Sequence, residues 1–257
     1  MHECRASRGW RSGMLLLMMM LPFGVSAQGG PPMLTDDPGT PGDGKLEINI
    51  AVLAAHADRT TEYAAPLLDV NYGVGERIQL KFEVPWLVET VSGSGTRSGL
   101  GNGIAGIKWR FFDGGDDGWK ISTYPQVESS HFAPTSWHHG LAESGTSVLL
   151  PIEFEHVLGP IDVGFDAGRW VRPSGQSDSW FGGVVIGHEV HKGLEFMAEL
   201  HDEAALGFHQ DALTLNFGTR WELADCCTFI ASAGTDLHNE LEDKRSFLTY
   251  VGVQVTH

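Results

Sequence analysis

Positive charge is scarce in this chain. Its 257 residues contain 17 Lys and Arg against 33 Asp and Glu, which gives a formal net charge of -16. Binding to nucleic acid requires a surplus of basic side chains against the phosphates, and the sequence has no basic patch of that kind. The composition therefore argues against nucleic acid as a partner.

Cysteine is also rare, with only 3 in the chain. Cys4 lies in a predicted signal peptide, so Cys226 and Cys227 alone remain in the mature part. Adjacent cysteines are poorly placed to bridge each other, and two thiolates supply only half of a zinc site. We interpret the pair as small residues at a turn, with intermolecular or redox chemistry in an oxidising periplasm as the alternative.

Long hydrophobic runs are missing after the N-terminus. Arg5, Arg8 and Arg11 precede an apolar run over 14–23, and small residues end it at Ala27. This is the pattern of a cleaved signal peptide over residues 1–27. An uncleaved anchor is the alternative, but the run has only about half of the roughly twenty residues that a helical span needs. If the mature chain crosses a membrane, it must cross as strands paired in a closed cylinder.

What the chain does contain is alternation with a period of two. Residues 44–257 divide into about a dozen such segments. In the segment 78–86, apolar side chains occupy the even positions, and polar ones occupy 79, 81 and 83. A transmembrane barrel requires this pattern, because one face meets lipid and the other a polar lumen. We predict a closed antiparallel barrel of about twelve strands over 45–257, preceded by an irregular Pro- and Gly-rich leader over 28–44 on the periplasmic side.

The connections between these segments alternate in length. Those at 90–100, 129–144, 202–211 and 235–244 are long, whereas the even-numbered ones are compact, as expected for outer loops and periplasmic turns. A soluble sandwich or lipocalin-like barrel would instead turn its apolar face inward. Tryptophans near strand ends favour the membrane orientation, because aromatic girdles mark the two interfaces; they are Trp86, Trp109, Trp119, Trp180 and Trp221.

Charged side chains on the inward positions are the candidate functional residues. They would either solvate the lumen and pair with one another or set which solutes pass, and their acidic excess predicts a preference for cations. The candidate lumen-lining residues are Lys81, Glu83, Lys108, Arg110, Lys120, Glu128, Glu153, Glu155, Glu195, Glu199, Arg220 and Glu222.

No catalytic site is predicted. Ser136 and His138 are close in sequence but have no identifiable third partner, and triads are recognised by geometry. A metal site needs three or four converging ligands, whereas the adjacent His138 and His139 would point apart on an extended backbone. Gly101 and Gly103 precede a strand, so they do not form a phosphate-binding loop. We expect no enzyme activity, no cofactor and no metal.

Four stretches of the sequence resemble the bacterial family of outer-membrane transporters labelled "meta-pathway of phenol degradation". They are TDDPGT (35–40), PLLDVNYGVGERIQLKFEVPW (66–86), GLGNGIAGIKWRF (99–111) and STYPQVE (122–128). The resemblance covers most of the mature chain and is strongest from 35 to 128. It implies an outer-membrane barrel that passes aromatic or other small hydrophobic compounds, and no binding residue is carried over from it. Outer-membrane barrels usually end on an aromatic residue that the assembly machinery reads, whereas this chain ends on His257.

These patterns together predict a monomeric channel in the bacterial outer membrane that passes small molecules without chemistry. Its expected partners are outer-membrane lipid, small solutes and the barrel-assembly machinery. The alternative is a plugged barrel that acts as a structural or surface-interaction protein. A further hypothesis is lateral exit of hydrophobic solutes at the glycine-rich segment 181–187, if that strand pairs weakly.

Overall fold

Strands make up most of the chain after residue 45. The computed structural model describes residues 30–115, 118–142, 144–172, 177–241 and 243–257, so the predicted signal peptide lies outside the described residues. A short 3-10 turn (Ser130–Phe132) and a helix α1 (Pro134–His138) interrupt the strands, and no described helix is long and apolar enough to cross a membrane. The strands are β1 (Leu46–Ala57), β2 (Thr60–Val74), β3 (Ile78–Val91), β4 (Gly95–Leu100), β5 (Gly103–Asp113), β6 (Trp119–Thr123), β7 (Gln126–Ser129), β8 (Thr146–Leu158), β9 (Ile161–Val171), β10 (Ser179–His191), β11 (Leu194–Ala205), β12 (Asp211–Ala224), β13 (Cys227–Asn239) and β14 (Arg245–Thr256).

The strands close into an antiparallel barrel with twelve positions in its wall. β1 pairs with both β2 and β14, which joins the ends of the sheet. β4 and β5 pair with successive halves of β3, so together they occupy one position. β6 and β7 are likewise one position, interrupted between Thr123 and Gln126, and both pair with β8. Closure gives the wall strands hydrogen-bonded neighbours on both sides, as a lipid environment demands; among the described strands, β4 pairs only with β3.

The wall has its apolar side outward. Ile107 and Phe217 are more than half exposed, whereas Glu153 and Asn216 on alternate positions are fully buried. This inverts the arrangement of a soluble barrel, so the lipocalin-like alternative is wrong. All five tryptophans predicted to face outward are exposed on the exterior. An apolar exterior around a closed, polar-cored barrel identifies an outer-membrane protein.

Several outer hairpins extend further than the sequence predicts. The connection predicted at 90–100 is wrong: β3 runs to Val91, a turn follows at 92–94, and β4 pairs back along β3. Gly93 and Gly95 have positive φ values of 82° and 101°, which permit the tight turn. The connections at 206–210 and 240–244 are likewise shorter than predicted. Beyond the lipid a strand keeps its ladder of backbone hydrogen bonds but no longer needs apolar side chains, so alternation underestimates its length.

The connection after β7 is long, as predicted. It carries the 3-10 turn and α1 between Ser129 and Thr146. Ser136 in α1 is buried, and the Arg97 side chain on β4 donates to the His139 backbone carbonyl. The connection therefore packs back onto one end of the barrel. This end lies opposite the end at which β1 begins and β14 finishes.

The glycine-rich strand β10 pairs with both neighbours along nearly its whole length. Its ladder with β9 runs from Ser179 to His188, and its ladder with β11 continues to His191. The weak pairing on which lateral exit at 181–187 depends is therefore not observed.

The cysteine pair lies at the short connection between β12 and β13. Cys226 is in the turn, and Cys227 is a free thiol at the first position of β13.

Candidate functional site

The leader lies inside the barrel. Residues 30–44 contain no strand or helix, but Thr35 has no exposed surface, and Met33 and Asp37 are buried. We predicted an irregular leader on the periplasmic side; the described part is irregular, and its central residues lie among the side chains of the wall. Its polar and Pro-Gly composition is typical of a linker, and the wall residues that hold it, Lys108, Glu199 and Ser232 among them, are distant in the sequence.

The leader enters at the end of the barrel where β1 begins. The Gly44 amide donates to the Gly73 carbonyl at 3.1 Å, and the Gly73 amide donates to Lys45 at 2.9 Å. Gly73 leaves no room for a side chain here, because a Cβ would lie 1.8 Å from the Gly42 carbonyl oxygen. These contacts fix the leader against the turn between β2 and β3.

Two wall carboxylates accept hydrogen bonds from the deepest part of the leader. Glu199 on β11 accepts the amides of Leu34 and Thr35, and Asp166 on β9 accepts the amide of Asp36 at 3.1 Å. Hydrogen bonds to an ionised acceptor are stronger than neutral ones. Since buried backbone amides need partners, these carboxylates explain how a segment without secondary structure can lie at the centre of the barrel.

Residues 31–35 of the leader also contact three other strands. Ser232 on β13 donates to the Pro32 carbonyl at 2.8 Å, and Arg220 on β12 donates to the Pro31 carbonyl. On β12, Gly218 leaves space for Met33, because a Cβ there would lie 2.5 Å from the Met33 sulfur. On β10, Gly183 leaves space for Thr35, because a Cβ there would lie 2.0 Å from the Thr35 Oγ1. The wall is therefore shaped for the leader.

Lys108 is the main cation that faces the leader. Its Nζ lies 2.9 Å from Asp36 Oδ1 and 3.6 Å from Glu153 Oε2, and its side chain is 3 % exposed. It also lies 4.6 Å from the centroid of the Tyr124 ring and donates to the Asp37 carbonyl. A buried lysine with these partners neutralises acids of both the wall and the leader.

Other predicted lumen residues pair within the wall. Lys81 binds Glu83 at 2.7 Å and Asp69 at 3.4 Å, and Lys120 binds Glu155 at 2.9 Å. Glu153 accepts from Ser122, while Glu128 accepts from Asn102 at 2.9 Å. These pairs fill the lumen between the wall and the leader.

Three of the twelve candidates lie apart from this network. Arg110 donates to the Glu76 carbonyl and pairs with Asp113 at 3.2 Å, near the turn where the leader enters. Glu195 is partly buried on β11. Glu222 follows the inward alternation but is exposed, because it lies next to the β10–β11 turn at Gly193.

Sequence reasoning missed the uncharged and acidic groups that complete the lumen. Asn216 donates to Glu199 at 3.1 Å, and Asn49 donates to Asp69 at 3.2 Å. Their inward strand positions are the signal that could have identified them. No such signal identifies the contacts that Thr35 and Asp36 make in the lumen, since the leader has no hydrophobic periodicity.

Two cavities lie at the tip of the leader, on the side opposite its entry. Leu34 and Arg245 line both of them. One cavity, of about 440 Å³, is polar; among its lining residues are Arg172, Asp178, Glu203 and Thr214. Asp178, in the connection before β10, accepts the Arg172 amide at 2.9 Å and the Arg169 side chain, and these bonds hold its pKa below the usual value. The rim of this cavity therefore keeps a charged ion pair.

The second cavity, of about 270 Å³, has a largely apolar lining. Its position on the inner surface of β1–β3 and β14 is unexpected, because barrel interiors are polar by default. The register of β2 against β3 shifts between Ala64 and Leu67. This shift turns the inward side of the β2–β3 hairpin toward the cavity. Among the apolar lining residues are Leu34, Leu53, Ala55, Ala64, Leu87, Leu141 and Leu248.

Comparison with solved structures gives the same architecture. The COG4313 outer membrane channel from Pseudomonas putida F1 superposes with a TM-score of 0.70 at 13% identity, over 86% of this chain and 98% of that one. The chain has the fold of an outer-membrane channel. NanC porin gives a TM-score of 0.56 at 9% identity, and KdgM porin gives 0.55 at 12%; the matches cover 81% and 80% of this chain and 98% of each porin. No family model and no curated protein sequence matches.

Proposed function

We propose that this barrel is an outer-membrane conduit for small hydrophobic molecules, aromatic compounds among them, and that it does not convert them chemically. The apolar cavity at the leader tip carries the proposal. Binding sites for small molecules are typically concave and apolar with a few polar groups, and this cavity combines apolar side chains with Glu62, Glu89 and Arg245.

The size of the cavity suits a small aromatic ring. A buried cavity of about 150 Å³ with an apolar lining is enough to bind benzene. The cavity here, of about 270 Å³, has room for a substituted ring or a fused pair of rings. Burial of apolar surface contributes about 25 cal/mol per Å², so such a ligand would gain several kcal/mol on entry.

The leader sets the conditions for passage. It fills the lumen between Lys108 and Glu199, so a solute in the apolar cavity can cross along the barrel axis only when the leader moves. Its anchors are hydrogen bonds and ion pairs, which exchange for water more readily than a packed apolar core would. We infer a gate that is closed at rest, with Leu34 at its tip in contact with the bound solute.

A binding measurement tests the site. The fluorescence of a naphthylamine probe is followed on titration into the refolded protein and the variant Leu87→Asn, which puts an amide into the apolar lining. We expect at least about a tenfold loss of affinity, which corresponds to about 1.4 kcal/mol. Leu149→Asn on β8 is the matched control: its side chain is partly buried at an inward position and does not line this cavity. Equal affinities in the two variants would contradict the site.

The occupied lumen also favours a second candidate, a closed barrel that acts as a structural or surface-interaction protein. Such a protein would bind no probe in the cavity and conduct no ions. For both candidates we infer a monomer that the barrel-assembly machinery inserts among outer-membrane lipids.

A further inference from the structure

We propose that the outer rim of the barrel carries a binding site for a divalent transition-metal ion, formed by Asp211, His238 and Glu240. No metal site is predicted from the sequence, because no set of histidines converges along the chain. Here the fold brings one histidine together with two carboxylates from different strands. One donor atom from each of the three residues lies within 4.8 Å of the other two.

Strand register places the donors. Asp211 is the first residue of β12, and His238 lies near the end of β13, where a shift of register follows Asp236. The shift sets His238 opposite Leu213, whose side chain is on the outward side with that of Asp211. The imidazole therefore faces away from the lumen, beside the Asp211 carboxylate.

Backbone hydrogen bonds hold the two acidic residues side by side. The Glu240 amide donates to the Asp211 carbonyl at 2.8 Å, and the Gln210 side chain donates to the Glu240 carbonyl at 3.2 Å. The two acidic residues are thus locked together before any ion binds. His238 Nε2 already lies 3.6 Å from Glu240 Oε1, close to the separation of about 3.4 Å between ligand atoms on tetrahedral zinc.

The local charge favours a cation. Asp202 on β11 lies on the same outward side opposite Leu213 and interacts electrostatically with both Asp211 and His238. Its Oδ1 is buried and accepts no hydrogen bond from the described residues. Across the described ranges, no Lys or Arg side chain forms an ion pair with Asp202, Asp211 or Glu240. A bound ion would compensate this surplus of negative charge.

The donor set indicates the class of ion. Imidazole nitrogen with carboxylate oxygens suits zinc and neighbouring transition metals, whereas calcium and magnesium prefer an all-oxygen shell. The consequence would be local: Asn239 and Leu241, on either side of Glu240, line the polar cavity. An ion at this site would fix one wall of that cavity to the barrel rim.

Calorimetric titration with zinc chloride tests the proposal. The mature protein is refolded without a histidine tag, treated with chelator and dialysed before the titration. We expect one zinc ion per chain, and at least about a tenfold loss of affinity in His238→Ala, since even loss of an outer-shell partner costs that much. Glu240→Gln should weaken binding in the same way. His191→Ala, an exposed histidine at the opposite end of the barrel, should leave it unchanged.

A second readout separates coordination from a change in folding. Cobalt chloride replaces zinc in the same variants, and its visible absorption reports the ligand geometry directly. A heat-modifiable gel shift verifies that each variant is a folded barrel, and both substituted side chains are exposed at the rim, so folding should be retained. Zinc binding that is equal in His238→Ala, Glu240→Gln and His191→Ala would overturn the proposal, and so would the absence of binding in the native protein.

Discussion

Substitution of Gly183 by valine should open the gate. A Cβ at this position would lie 2.0 Å from the Thr35 Oγ1 and 2.9 Å from Asp166 Oδ1, so the fully buried Thr35 side chain must shift, and we expect it to draw the leader away from β10. Thr35 then loses its hydrogen bond to Glu199, and a bond to a charged group contributes about 1.5–3 kcal/mol. The open fraction of the channel should therefore rise roughly 10- to 100-fold.

Single-channel conductance in a planar bilayer measures this change directly. Valine is favoured in strands over glycine, so the wall itself should remain intact. Gly182→Val is the matched control on the same strand, because a Cβ there meets its nearest atom at 3.5 Å, an ordinary contact. If the two variants show the same open fraction, the leader is not the gate, and its docking against β10 has no part in conduction.

Three further predictions follow from the lumen. Glu199→Gln should also raise the open fraction, because a neutral amide accepts the Leu34 and Thr35 amides less strongly than a carboxylate; an unchanged trace would contradict this. Lys108→Met should lower the free energy of unfolding in urea by about 3–5 kcal/mol, because it leaves Asp36 and Glu153 buried without their cation. Lys192→Met at an exposed turn is its control and should change little. The reversal potential in a potassium chloride gradient should show a preference for potassium, and equal permeability to chloride would show that the acidic lumen does not select.

The wall could be predicted from the sequence because lipid imposes a simple rule on it. Outward positions such as Ile107 must be apolar wherever the strand meets hydrocarbon, so a period of two identifies the strand. The rule stops at the membrane surface, and for that reason the extension of β3 and β4 past residue 90 was not predicted.

The lumen was harder to predict because its contacts are not local. Lys81 and Glu83 are two positions apart on one strand, so their pairing follows from alternation. Lys108 and Asp36 meet only because the leader folds back into the barrel, and no local pattern reports that. The inward glycines at 73, 183 and 218 are the feature of the sequence that indicates these contacts, since each leaves a gap that a segment of the leader fills.

Entry of a fluorescent naphthylamine into intact cells tests the central claim most directly. Lipopolysaccharide slows hydrophobic molecules, so the probe brightens only as fast as it passes the outer membrane. Cells that express the native protein should take up the probe faster than cells that lack it, and Leu87→Asn should remove most of that gain while Leu149→Asn should not. Uptake at the rate of cells without the protein would contradict the account.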